Sequence, residues 1–200
     1  MSKVTQRSDR SNPWKLTTER LTIAAVLAAI TILLGVVPGI GFIPLPNAVG
    51  NATTEHIPTI LGGILAGPIV GIISGLIFGL TSFLRASNPL FKDPTVSVLP
   101  RLFIGLVAWA VFAALVRFNR DVAAAAAGVM GSLTNTVLVL SMLLIRHYLA
   151  PVAIIPVIPQ AIAEAIFAAI MSVILARVFY IIQKGYTRAP EKKARDELPY

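Results

Sequence analysis

Cysteine is absent from all 200 residues, which excludes disulfides, thiolate catalysis and Cys-ligated metals. Histidine is nearly absent: the two residues, His56 and His147, are far apart and fit neither HxxxH nor HExxH spacing. They make a weak metal site. The chain contains no Gly-x-Ser-x-Gly, no HExxH and no paired intramembrane aspartate, so catalysis has little to stand on. No Walker A stretch occurs, so P-loop binding of ATP is excluded. Energy for any accumulation would have to come from an ion gradient or another subunit. No cleavable leader is expected: the first apolar run starts at Leu21, is long enough to span, and lacks a clear small-residue cleavage site. Charge is scarce as well, at 13% of residues.

What is present is apolar. Hydrophobic residues make up 56% of the chain and mean hydropathy is +0.81, which marks an integral membrane protein rather than a soluble domain. The net charge of +8 could suggest nucleic acid. The basic residues lie in short flanks around apolar runs, however, as topology determinants do, so no nucleic-acid partner is expected.

The expected fold is all-α, a polytopic membrane protein with six transmembrane helices and both termini cytoplasmic. Residues 1–20 form a basic cytoplasmic segment, 21–183 the six-helix membrane domain, and 184–200 a charged cytoplasmic tail, expected to be disordered beyond Arg188. Helix 1 is Leu21 to Val37, followed by a Pro/Gly-rich loop to about Gly50. The purely apolar part of helix 2, Ile57 to Ala66, covers only about 15 Å. To span, it must start earlier and include Asn51, Thr53, Thr54, Glu55 and His56, which cannot face lipid and so should line a polar cavity. Gly67-Pro68 makes a tight turn into helix 3 (Ile69 to Leu84). Helix 4 is Pro100 to Val116, helix 5 Val122 to Ile145 and helix 6 Gln160 to Ile182. The basic N-terminus, the Arg117/Arg120 turn and the Lys184–Arg195 tail then share one face, the cytoplasmic one by the positive-inside rule. Arg85, Lys92 and Arg146 fall on the opposite face, with Arg101 just inside it. This local reversal of the charge bias suggests capture of an anionic solute from outside.

Several constellations could carry function, each with a plainer reading. Ala24, Ala25, Ala28 and Ala29 form two small-xxx-small pairs on helix 1, suited either to docking another helix or to internal packing. Gly63, Gly67, Gly71, Gly75 and Gly79 form a ladder at four-residue spacing, which suits a close internal helix crossing or a dimer face. Asn135, about 16 Å below the outer end of helix 5, must bond another helix, water or ligand. Gln160 and Glu164 share one face of helix 6; Glu164 is either a site carboxylate or the partner of Arg101 or Arg146 in a buried ion pair. Lys92 reads as solvated loop charge beside Asp93. Arg85 and Arg101 flank the 85–99 loop, and a guanidinium clamps a carboxylate through two parallel hydrogen bonds. With Glu55 and Asn88 these residues make the candidate substrate site: Glu55, Arg85, Asn88, Arg101, Asn135, Gln160 and Glu164.

The order of these pieces resembles a known family. The helix 1 stripe Ala24-Ala25-Val26-Leu27-Ala28-Ala29, His56-Ile57-Pro58-Thr59-Ile60 leading to Gly67-Pro68, Asp93 to Arg101, Thr134-Asn135-Thr136 and Glu164 together resemble the S components of energy-coupling factor (ECF) vitamin transporters. The likeness covers about Leu21 to Ile182, and is greatest to the pantothenate, hydroxymethylpyrimidine, folate and riboflavin subgroup. It implies a specificity subunit of the bacterial cell membrane without catalytic activity. Such a subunit binds a water-soluble vitamin between outer loops and helix ends and docks on a transmembrane coupling subunit through the helix 1 alanines, while two ATPases drive the cycle. External arginines favour a carboxylate ligand, pantothenate first and folate second; sparse aromatics weaken riboflavin, and the missing His-rich N-terminus argues against nickel or cobalt. No cofactor is implied. The rivals are a stand-alone dimeric secondary carrier of a small anionic solute, which would call for repeats between the halves that are not seen, and an intramembrane enzyme, against which the dispersal of Glu164, His56 and His147 argues.

Overall fold

A computed structural model describes residues 12–37, 39–44, 51–86 and 88–196. Six main helices carry the chain: α1 (Thr18–Val36), α2 (His56–Ala66), α3 (Pro68–Leu84), α4 (Leu99–Leu115), α5 (Arg120–Ile145) and α6 (Ile158–Asp196). Between them lie a two-stranded antiparallel ribbon, β1 (Phe42–Pro44) with β2 (Asn51–Thr53), in which Ile43 faces Ala52, a 3₁₀ turn (Pro89–Lys92), a single-turn helix (Pro94–Ser97) and a second 3₁₀ segment (Pro151–Val157). The predominantly helical expectation holds. Among the described residues, Thr18–Val36, Pro94–Leu115, Arg120–Ile145 and Pro151–Gln183 are long and apolar enough to cross a membrane; α2 and α3 are shorter apolar helices.

The ends of the helices follow local chemistry. Thr17 caps α1 by accepting from the Arg20 amide at 3.3 Å, and Asn119 caps α5 through the Asp121 and Val122 amides at 2.8 and 3.1 Å; each satisfies amides that the helix cannot. Gly67, at φ +95, lets the chain reverse between α2 and Pro68, the first residue of α3. Helix 2 differs from expectation. Asn51–Thr53 is extended rather than helical, and α2 begins only at His56, because the chain pairs its backbone with β1 and with a side chain of α6 instead of coiling. Helix 6 begins at Ile158, and its backbone continues through the stretch expected to be a disordered tail, to Asp196.

Glycine decides how closely α3 and α4 approach. A Cβ on Gly71 would lie 2.8 Å from the Gly105 carbonyl carbon, and one on Gly79 would lie 2.8 Å from the Val98 Cα; on Gly75 it would strike the Arg101 carbonyl. Gly71, Gly75 and Gly79 therefore form an internal seam between α3 and α4. Ile60, Phe78, Ile104, Ala108 and Phe112 fill the core between α2, α3 and α4, and Ala123, Ala124, Ala127 and Ala168 let α5 and α6 close over it. In hydrocarbon such contacts hold through dispersion, because lipid supplies no hydrophobic drive between helices. Replacing Gly71 with leucine should separate α3 from α4 and lower stability by about 1–3 kcal/mol, the usual cost of overpacking, seen as a lower thermal midpoint in detergent; an unchanged midpoint would show that the seam can yield.

Candidate functional site

The connections after α1, α3 and α5 meet at one end of the bundle, and the buried polar side chains collect just below them. Thr53 is the hinge of this region. Its amide donates to Glu164 Oε1 at 3.0 Å, and its hydroxyl accepts the Glu55 amide at 3.2 Å. Gln160, one turn before Glu164 on α6, donates to the same Oε1 at 2.8 Å. Gln160 and Glu164 therefore act together, as their spacing predicts.

Glu55, directly before α2, is wholly buried. Its Oε2 accepts from Thr81 of α3 at 3.4 Å, while Oε1 has no partner and faces Gly35 of α1, where any Cβ would strike it. Arg101 is also buried, at 3% exposure. One guanidinium nitrogen donates to the Val96 carbonyl, and the planar group lies 5.3 Å from the Phe78 ring centre and 5.4 Å from that of Phe91. Glu55 and Arg101 feel each other's charge without a direct ion pair. Two aromatic faces and a carbonyl offset the loss of water around the cation.

Asn135 is buried with an unpartnered Oδ1, as are the Ser132 and Thr59 hydroxyls. Gly131, one turn before Asn135, packs on Ile60, and α2 and α5 run in opposite directions. Asn135 therefore sits at the level of His56, whose ring is fully buried and makes no hydrogen bond of ordinary geometry beyond its proximity to the Thr53 backbone.

The remaining predicted residues separate. Arg85 is exposed at the C-cap of α3, within electrostatic reach of Glu55. The Asn88 side chain accepts from the Leu90 amide at 3.1 Å and so starts the 3₁₀ turn. Arg146 pairs with Asp93 rather than with Glu164. Its Nε and a terminal nitrogen each lie 3.0 Å from Asp93 Oδ2, which also accepts from the Tyr148 hydroxyl at 3.1 Å. Asp93 Oδ1 meanwhile caps the Pro94–Ser97 turn through the Thr95 amide at 2.9 Å and hydroxyl at 2.7 Å. A left-handed His147, φ +56, turns the chain after α5 toward this contact. Asp93 thus clasps the α3–α4 connection to the α5–α6 connection, a role not anticipated because the two segments lie more than fifty residues apart in sequence. On helix 1 the alanines divide. Ala24 is buried against Ala66 and Val70, Ala28 is half-buried, and Ala25 and Ala29 are exposed.

Among the described residues no group of three His, Cys, Asp or Glu could hold a metal. The family of ECF transporter substrate-specific components matches residues 19–176. No curated protein sequence matches the chain. The chain belongs to the ECF transporter substrate-specific component family, and is therefore a multi-pass membrane transport subunit that takes a small-molecule substrate and works with an ECF module.

The Asp93 carboxyl is held down at about 2 by the Thr95 hydrogen bonds first, then by Tyr148 and Arg146. That lies below the ordinary unfolded value of about 3.9, so its contribution to stability is complete above the unfolded value and is lost as pH falls through about 2. A spin label on Lys92→Cys, the sole cysteine, should report a loop equally immobile from pH 7 to pH 5, and a mobile one at pH 7 once Asp93→Asn is added. Equal mobility in both proteins would show that the clasp holds nothing.

Proposed function

We propose that this chain is the specificity subunit of an ATP-driven ECF importer. It captures a water-soluble vitamin or precursor bearing a carboxylate, pantothenate before others, from outside the bacterial cell membrane. The carrying observation is Arg101: a buried guanidinium with one terminal nitrogen on Val96 and, among the described residues, no partner for the other. A buried cation with one free donor suits a ligand anion, which would supply the charge that Glu55 provides only at a distance. Glu55 and Asn135 support the site from behind, Arg85 steers at its rim, and Asn88 and Asp93 shape the loop that covers it. By the positive-inside rule the Arg117/Arg120 turn faces the cytoplasm, with both termini, and the arginine-bearing loops face out. Residues 1–20 and 184–200 flank the membrane domain, 21–183.

Docking on the transmembrane coupling subunit, which is energised by two ATPases, uses helix 1. Within the motif Ala24, Ala25, Ala28 and Ala29, the exposed pair Ala25 and Ala29 forms the contact surface. Ala24 keeps α1 on the bundle, and Ala28 lies on the border. Ala29→Trp should abolish co-purification with the coupling subunit and abolish uptake, yet leave ligand binding by the isolated chain within about two-fold. Retained assembly would move the docking surface elsewhere. Arg101→Ala should weaken pantothenate by about 10- to 100-fold, a charge-assisted hydrogen bond's worth, and weaken its amide far less, as calorimetry would show; equal losses would make Arg101 a packing residue.

A further inference from the structure

Two acidic side chains lie near-buried in this region, and their free oxygens differ. Glu55 is wholly buried, and its Oε1, without a partner among the described residues, is pressed under Gly35 of α1. Nothing can reach that oxygen without moving α1. Glu164 is 9% exposed. Its hydrogen bonds from Thr53 N at 3.0 Å and Gln160 Nε2 at 2.8 Å both fall on Oε1. Among the described residues its Oε2 has no partner, and the side chain keeps a little exposed surface. Two donors thus fix the carboxylate by one oxygen and leave the other open to a further donor. Neither donor is charged. Among the described residues no cation pairs with Glu164: Arg146 is taken up by Asp93, and Arg101 lies against Val96 and two aromatic rings instead. A nearly buried carboxylate without a counter-charge is costly to hold. It becomes favourable only when something arrives to donate to it.

We infer that Glu164 reads hydrogen-bond donors on the substrate, so that the ligand is a bifunctional solute: an acid at the Arg101 end and a hydroxyl- or N–H-bearing group at the Glu164 end. This rests on the substrate site proposed above and deepens it. The two recognition groups are linked through one short stretch of backbone. Glu164 holds the Thr53 amide, Thr53 holds the Glu55 amide, and the Glu55 charge reaches Arg101. Acid and donor end are therefore read by two sides of the same Thr53–Glu55 segment. A simple fatty or aromatic monocarboxylate would satisfy Arg101 and leave Glu164 desolvated and unmatched, and a site built to bond a polar group discriminates strongly against an analogue lacking it. The distinction between Glu55 and Glu164 also gives them different roles: the first fixes the packing of α1, α2 and α3, and the second selects.

The probes are pantothenate, a carboxylic acid with two hydroxyls at its far end, and its analogue with both hydroxyls replaced by hydrogen. Calorimetry on the full chain in detergent should give pantothenate an advantage of at least about 10-fold, as expected for bonds to a charged acceptor. Glu164→Gln, which keeps an acceptor for Thr53 but loses the charge, should shrink the advantage to within about two-fold. Arg101→Ala should weaken both probes and preserve their ratio. Glu164→Asp, which withdraws the carboxylate by one methylene while keeping its charge, should also reduce the advantage and serves if the glutamine variant is unstable. Equal binding of the two probes by the parent chain, binding of neither, or an undiminished advantage in both Glu164 variants would overturn the inference. Co-purification of the parent chain with the coupling subunit and ATPases tests the subunit reading separately: assembly that persists while the probes fail leaves that reading standing.

Discussion

The backbone contact between α3 and α4 sets the geometry on which the rest of the site depends. Gly71 and Gly105 touch without side chains between them, Gly75 receives the Arg101 carbonyl, and Gly79 receives Val98. With the helices that close, the side chain of Arg101 is held inside the bundle, almost wholly buried. It lies over Phe78 of α3 and under Phe91 of the loop, with its proton on the Val96 carbonyl. Glycine is a poor helix former in water, but in a bilayer the unsatisfied backbone cannot escape to solvent, so the penalty for a glycine stripe is small beside the dispersion gained by close approach. The seam is thus both the main packing device and the placement device for the site's one buried cation.

That placement organises the charges around it. Buried carboxylates and a buried guanidinium are each unfavourable alone, and they persist where neighbours satisfy them. Arg101 is met by π-faces and a carbonyl, Glu55 by Thr81 and by the field of Arg101 and Arg85, and Glu164 by two neutral donors. Had Arg146 paired with Glu164, the carboxylate would have been neutralised and closed to any ligand. Its commitment to Asp93, outside the bundle, fixes the loops together and leaves Glu164 partly unsatisfied. One cation's choice of partner therefore separates the loop clasp from the buried Glu164.

Much of this was legible from residue pattern. The Gly63–Gly79 spacing indicates a close crossing because four residues return to one helix face, and Gln160 with Glu164 predicts the hydrogen bond that forms. The polar run before Ile57 implies a place away from lipid, and Thr53, Glu55 and His56 are buried within the bundle. Its conformation was not legible: a span of only ten apolar residues invites extension of the helix, whereas Asn51–Thr53 instead pairs with β1 and bonds Glu164, contacts that join positions over one hundred residues apart. The partner of Arg146 was hidden for the same reason. Periodicity reports faces of single helices, and it says nothing about which distant loop a side chain meets. The alanine stripe shows this limit most plainly, since two interleaved pairs at four-residue spacing are equivalent in sequence and only the neighbours Ala66 and Val70 decide that Ala24 turns inward.

The same helix that offers Ala25 and Ala29 outward meets the site inward. Down its buried face α1 sets Ala24 on Ala66 and Val70, Leu27 on Ile57 and Leu61, and Gly35 on Glu55. At Gly35 the helix backbone rests on a carboxylate with no side chain between them, so any tilt of α1 on a partner must shift Glu55 or open a gap beside its unpartnered oxygen. Packed interfaces respond by discrete rearrangement more readily than by smooth deformation. An apolar helix with a glycine at its loop end, pressed on the Glu55 carboxylate, is therefore a physical route from the exposed Ala25–Ala29 face to Glu55. Such a route requires the glycine: a methyl group at position 35 would separate helix and carboxylate before any partner arrived.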